Sequence, residues 1–228
     1  PERIAQALGF LTALRGWPMI TYGTERGLSG ADEPANRADM NFERHPTFKV
    51  LRTLIRRRQQ RPALARGSTD IIDWSAGHIA LLRHHRGDTQ LVLSWRGAAP
   101  KLVDILPTGF VAAGAATGPR GTAVFPVEVS TERFAVWRTA HRALRKVVVT
   151  SSEIDLVITG SGQELHHWRA AQAAPIGREG LTISVPGGLV LAYKLARQAD
   201  GQTTYEKGAN RILSTLPAGD RSIDLTWR

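Results

Sequence analysis

Glu25, Arg26, Asp32, Glu33, Arg37 and Asp39 crowd one short stretch, "TERGLSGADEPANRAD", directly after the apolar run "WPMITYG". A run of that kind predicts a fully buried strand, and a charged loop leaving a strand end is where a polar substrate would be gripped. Carboxylates can carry protons, but acid–base chemistry needs each within reach of the proton it moves, on the correct side of the reacting bond. Glu25, Asp32, Glu33 and Asp39 share one segment, with no second strand to set a partner opposite them. No catalytic residue is therefore assigned. The chain has no cysteine, which excludes a disulfide framework, thiolate chemistry and a zinc–thiolate site. His84 and His85, flanked by Arg83 and Arg86 without carboxylate neighbours, read as a solvated pair, and no metal site is expected.

The elements that would position these residues fall into three segments. In "ERIAQALGFLTAL" Ile4, Leu8 and Leu11 recur at helical spacing, and Gly16 and Pro18 end that helix. The strand "WPMITYG" and the polar loop follow. His45-Pro46 opens a second helix with Phe48, Leu51, Leu54 and Ile55 inward. Helix, buried strand, loop and helix form the grammar of an α/β barrel or a doubly wound sheet. From Gly67 short strands replace it: "DIIDW", "HIALLRHH" and "TQLVLSW" with "SAG" and "RGD" turns, then "KLVDIL", "TAVFPVEVS" and "ERFAVWRT". A last β segment runs from "KVVVT" to "SIDLTWR" and suggests a small sandwich or open barrel. The expected fold is mixed: a partial α/β piece over 1–65, then two all-β antiparallel sandwich domains over 66–142 and 143–228.

The net charge is +10, a balance that could serve a nucleic acid. The one dense basic run, residues 51–66, places Arg52, Arg56, Arg57, Arg58 and Arg61 around Leu51, Leu54 and Ile55, as on a solvated helix face. No helix-turn-helix, RNA-recognition or zinc signature accompanies it, so an Arg-rich nucleic-acid binder is the outsider among three readings. No apolar run approaches the ~18–20 residues of a membrane helix.

Two resemblances sharpen the picture. "GWPMITYGTE" followed by "GLSGADEPANRADM" resembles the eighth strand and following loop of the barrel in family 13 glycoside hydrolases, the α-amylase family. Gly16, Pro18, Ile20, Tyr22, Gly23, Glu25, Pro34, Asn36, Arg37 and Met40 match that pattern. Thr21 departs from it, as does Glu33, which stands where the family has Asp unless Asp32 substitutes for it. The resemblance implies that residues 1–65 are the C-terminal piece of a (β/α)₈ TIM barrel. Glu33 and Arg37, with Tyr22, are then candidate glucan contacts; equally, Arg37 could pair with Asp32 or Asp39 and merely hold the loop. "GSGQELHHW", "AAPI", "VPGGLVLAYKLA", "GQTTYEKGANR" and "DLTWR" resemble the starch-binding modules of carbohydrate-binding module family 20. Carried across, the binding residues are Trp168, Lys194, Tyr205, Glu206 and Asn210, with Trp227 in the core. The second site of such modules does not carry over, because its aromatic positions hold "SSE" and "REG" here.

Family 13 enzymes use a retaining two-carboxylate mechanism, and their carboxylates lie on barrel strands upstream of the one matched here. The resemblance thus implies the α-glucan-binding portion of an amylase-like glycosidase or glucanotransferase, secreted and bacterial in type, and inactive as this chain alone. The alternative is a free-standing starch-binding protein. Starch, amylose and maltodextrins are the expected partners, with no nucleic acid and no membrane. No cofactor is expected, although calcium is possible in the full-length parent. A chain opening on "PERIAQALGF" without Met is expected to be a piece of a longer protein.

Overall fold

The protein is described from a computed structural model that covers residues 2–30, 32–153, 155–199, 202–216 and 221–227. Parts of the quoted motifs, including Ala31, Gly201 and Arg228, lie outside the described residues. The chain divides into two compact units, Pro1–Phe134 and Ala135–Arg228.

The first unit is built on a five-stranded antiparallel sheet: β1 (Ser68–Trp74), β2 (His78–His85), β3 (Asp88–Arg96), β4 (Val111–Ala112) and β5 (Arg120–Glu128), in the order β1-β2-β3-β5-β4. The "RGD" turn is a tight hairpin in which Arg86 (φ 47°) and Gly87 (φ 85°) both take left-handed backbone, the requirement of a type I′ turn. Helix α1 (Glu2–Ala13) buries Leu8, Gly9, Thr12 and Ala13, whereas Ile4 and Leu11 of the expected stripe stay partly exposed. It lies against β3 and β5. Gln6 Nε2 donates to the Trp95 carbonyl at 2.7 Å, and Thr122 Oγ1 donates to the Gln6 carbonyl at 2.9 Å. Ala13, Leu64, Leu81 and Val92 form the core beneath it.

Helix α2 (Pro46–Gln60) starts as expected, with Pro46 at its first position and the His45 side chain accepting from the Thr47 amide. Its basic face is not all solvated. Arg58 donates to the carbonyls of Thr12 (2.8 Å), Leu14 (2.7 Å) and Leu64 (3.0 Å), and also to that of Gly16. Those of Thr12, Leu14 and Gly16 are open carbonyls within and just beyond the last turn of α1, where a cation is favoured. The same side chain reaches α3 (Pro62–Arg66), so one guanidinium joins three helices. Arg58→Ala is expected to lower stability to urea unfolding by about 2–3 kcal/mol, while Arg57→Ala, exposed one position earlier, should change it little.

Four expectations are corrected here. Residues 17–23 form no strand. Trp17 is 97% exposed and Met19 89% exposed, because strand backbone needs a neighbouring ladder and no described strand lies on either side of this run. "KLVDIL" is a short helix, α4 (Leu102–Ile105), and "ERFAVWRT" lies in α5 (Thr131–His141). Ser130 Oγ accepts from the Arg133 amide at 3.2 Å, an N-terminal cap that settles helix over strand for a short apolar run. His84 is not simply solvated either. It stacks on Phe134 with ring centroids 3.9 Å apart, and its Nδ1 meets Thr89 Oγ1 at 2.8 Å.

The second unit holds two sheets. One is β6 (Leu144–Thr150) flanked by β8 (Leu181–Pro186) and β12 (Arg221–Asp224). In the other, β9 (Val190–Ala199) pairs with β7 (Leu156–Gly160) on one side. On its other side β9 pairs with β10 (Gln202–Tyr205) and then β11 (Arg211–Ser214). Val147 and Val149 of β6, Val185 of β8, Leu156 and Ile158 of β7, and Leu191, Tyr193 and Leu195 of β9 share one buried cluster. The expected all-antiparallel pattern fails at one place: β12 runs parallel to β6. β11 and β12, consecutive in the chain, belong to different sheets.

Candidate functional site

In β9 the core-facing residues are Leu191, Tyr193 and Leu195, so Lys194 and Ala196 point to the outer face. Tyr205 is the cross-strand partner of Ala196 and shares that face, 41% exposed. The segment after β7 brings a second aromatic residue to it. Leu165 is fully buried and anchors the turn, with its carbonyl accepting from Thr159 Oγ1 at 3.2 Å. His166, His167 and Trp168 then follow with φ of 60°, 46° and 66°. Three successive non-glycine residues in left-handed backbone cost on the order of 1–2 kcal/mol each. The turn is held by the His167 amide donating to the Gly162 carbonyl at 3.1 Å and the Arg169 amide to His166 at 2.9 Å. Trp168 is left half-buried beside Tyr205, whose hydroxyl donates to the Trp168 carbonyl at 3.2 Å.

The other three candidates lie on or against the loop from Glu206 to Asn210. Lys194 Nζ donates to the carbonyls of Glu206 (3.2 Å) and Gly208 (2.9 Å). Asn210 is exposed at the far end of the loop. Glu206 is placed otherwise than expected. Its side chain is fully buried: Oε1 accepts from the Leu195 amide at 3.1 Å, and Arg211 grips both oxygens, with Nη2 to Oε2 at 2.6 Å. This carboxylate faces inward and offers no oxygen to a ligand on the outer face. The pairing holds the Arg211 pKa above its ordinary value, and burial opposes that rise. Arg211 was missed as part of the site. Its only trace in the sequence is its place five residues after Glu206 in "EKGANR". Trp227 packs half-buried against the core cluster with Arg197 4.7 Å over its ring, in line with its expected core role.

In the charged loop Glu33 and Arg37 do meet, but each other: Arg37 Nη2 lies 2.5 Å from Glu33 Oε1, with the side chains 72% and 63% exposed. Tyr22 donates from its hydroxyl to the Ala38 carbonyl at 2.9 Å. Tyr22 also lines a small cavity of about 180 Å³ with Ser29 and Asn36. An exposed ion pair adds little, so Arg37→Ala is expected to shift the urea midpoint by well under about 1 kcal/mol of stability.

One hydrogen-bonded chain has the residue types of a hydrolase. His78 bridges Ser75 Oγ (2.9 Å from Nδ1) and Asp73 Oδ2 (2.7 Å from Nε2). Yet Ser75 Oγ also accepts from the amides of Gly77 (3.0 Å) and His78 (3.2 Å). Its lone pairs are engaged in closing the β1–β2 turn, which leaves it a poor nucleophile. Among the described residues no group of three or more His, Asp and Glu side chains could hold a metal ion, and no helix is long and apolar enough to cross a membrane.

No family model matches the chain. It is 46% identical over 70 residues to a cyclomaltodextrin glucanotransferase from Niallia circulans, covering 30% of this chain and 10% of that protein. It is 45% identical over 67 residues to a β/α-amylase from Paenibacillus polymyxa, covering 29% of this chain and 6% of that protein. Its relatives are amylase-family enzymes, matched over part of the chain. The matched stretch thus spans a tenth or less of their own length. Among solved structures, a cyclic α-maltosyl-(1→6)-maltose hydrolase from Arthrobacter globiformis aligns with 54% of this chain and 29% of its own, at 27% identity and a TM-score of 0.47. A γ-cyclodextrin glucanotransferase from Bacillus clarkii aligns with 99% of this chain and 51% of its own, at 15% identity and a TM-score of 0.40.

Proposed function

We propose that this chain is part of a secreted, bacterial-type α-amylase-family glycosidase or glucanotransferase, and that its role is to hold α-1,4-glucan through Trp168 and Tyr205. In this reading residues 1–65 are the last piece of a catalytic barrel, 66–142 the sandwich that follows it, and 143–228 a starch-binding module. The observation that carries the binding role is the meeting of Trp168 and Tyr205. They are 37 residues apart in sequence, and the Tyr205 hydroxyl donates to the Trp168 backbone carbonyl. A glucose ring has a face of axial C–H groups ringed by hydroxyls. A rigid aromatic side chain covers such a face at little entropic cost, and the remaining Lys194 N–H and the Asn210 amide can bond the hydroxyls at the ring edge. Glu33, Arg37 and Tyr22 are secondary candidates on the barrel loop, dependent on partners from the parent protein. The reaction itself belongs to carboxylates outside this chain. Affinity electrophoresis of the full chain in gels with and without soluble starch tests the reading. Retarded migration that maltoheptaose competes away is expected, and migration unaffected by starch would overturn it. Reducing-sugar release by the pure chain would overturn its assignment as non-catalytic.

A further inference from the structure

The buried Glu206–Arg211 pair does something for the outer face that neither residue does by touching it. Along one edge of β9, the ladder to β10 ends at Ala196 and the ladder to β11 begins at Tyr193. Lys194 and Leu195 therefore face a gap where the chain loops out. Two bonds reach the β9 backbone across it: the Glu206 amide donates to the Leu195 carbonyl at 3.0 Å, and the Glu206 carboxylate accepts from the Leu195 amide at 3.1 Å. The side chain thus stands in for the missing carbonyl of a ladder residue. Arg211, the first residue of β11, holds that carboxylate from the far side of the loop and also donates to the Thr226 carbonyl. Tyr205 precedes the loop and Asn210 closes it, so the spacing between them depends on where the pair pins its two ends.

We infer that Glu206 and Arg211 are positioning residues that set the Tyr205–Asn210 edge of the glucan site. The inference rests on the glucan reading above for its functional consequence, and on the ladder gap for its structural one. A two-pronged arginine–carboxylate contact fixes orientation as well as distance. Arg211→Lys keeps the charge and loses the fork. Glu206→Gln keeps an acceptor for Leu195 and loses the charge.

Two measurements on the full chain separate the claims. Amide hydrogen exchange, followed without ligand, should show Leu195 strongly protected in the wild type. In either variant the amides of 206–210 should exchange about tenfold faster or more, while β7 and β8 keep their protection. Calorimetric titration with maltoheptaose, well below each variant's unfolding midpoint, should show Kd weakened about fivefold or more. A fast-exchanging Leu195 amide in the wild type, or local exchange unchanged in both variants, overturns the positioning role. So does a lowered midpoint with Kd unaltered, which is the signature of a purely structural pair. If the wild type fails to bind maltoheptaose at all, the glucan reading falls and the functional half of this inference falls with it. The exchange arm then still decides whether the pair pins the loop.

Discussion

Trp168→Ala is expected to migrate through starch gels unretarded and to bind maltoheptaose about 30-fold more weakly or worse, a loss of about 2 kcal/mol typical of a central aromatic anchor. The expectation follows from what the fold spends on this residue. Leu165 is sunk in the core, three residues take left-handed backbone, and Trp168 remains half-exposed with its carbonyl accepting from the Tyr205 hydroxyl. Strain kept in a short turn is retained where the surroundings over-determine it, often at sites that bind. Tyr205→Phe supplies a graded comparison. It keeps the ring and deletes only the hydroxyl bond to the Trp168 carbonyl, so a loss of about threefold to tenfold is expected. Trp168→Ala with an unaltered near-ultraviolet spectrum outside the tryptophan band and wild-type affinity would remove the site from this face.

A second large effect is expected at Arg83, on stability. Its guanidinium is fully buried in β2, donating to Thr69 Oγ1 and, at 3.1 Å, to the Leu64 carbonyl. Burial foremost, and then the charges of Arg58 and Arg15, lower its pKa to about 10, with Asp70 acting in the opposite direction. The sign of the linkage follows. Between about 10 and the ordinary arginine range the unfolded chain binds more protons than the folded one, so this group's contribution to stability rises with pH across that window. Below about pH 10 the cost of burying the charge is present in full, and the protein tolerates it because the bonds and Asp70 offset it. Arg83→Ala removes those bonds, leaves Asp70 (3% exposed) without its buried counter-charge, and opens a void. About 3–5 kcal/mol should be lost, measured by urea unfolding at neutral pH. A loss below about 1 kcal/mol would mean that the interior of this unit does not depend on the charge.

Much of the fold was legible because its cues are local. Pro46 after His45, the two-residue Arg86-Gly87 turn, and the apolar runs of β2, β3, β6 and β9 each carry their instruction within a few residues. Where cues were ambiguous or non-local the reading failed. A four-residue helix at Leu102–Ile105 and the apolar run in α5 have no period long enough to separate helix from strand. "WPMITYG" has the composition of a buried strand, but a strand exists only where another backbone pairs with it. The parallel entry of β12 depends on how the chain crosses between sheets, which no short window records.

The candidate site divides along the same line. Sequence by itself determined which side chains could stack on a sugar and bond its edge: Trp168, Tyr205, Lys194 and Asn210 are the right types, and motif order named them. Only the tertiary structure decided which charges face solvent and which are interior. Arg58, Arg83 and Glu206 look alike in composition to their exposed neighbours Arg57, Arg86 and Lys207. A charged side chain turns inward only when open backbone groups or a counter-charge await it there, and several of those partners lie well apart along the chain, brought close by the packing of helices and the gap in a β ladder.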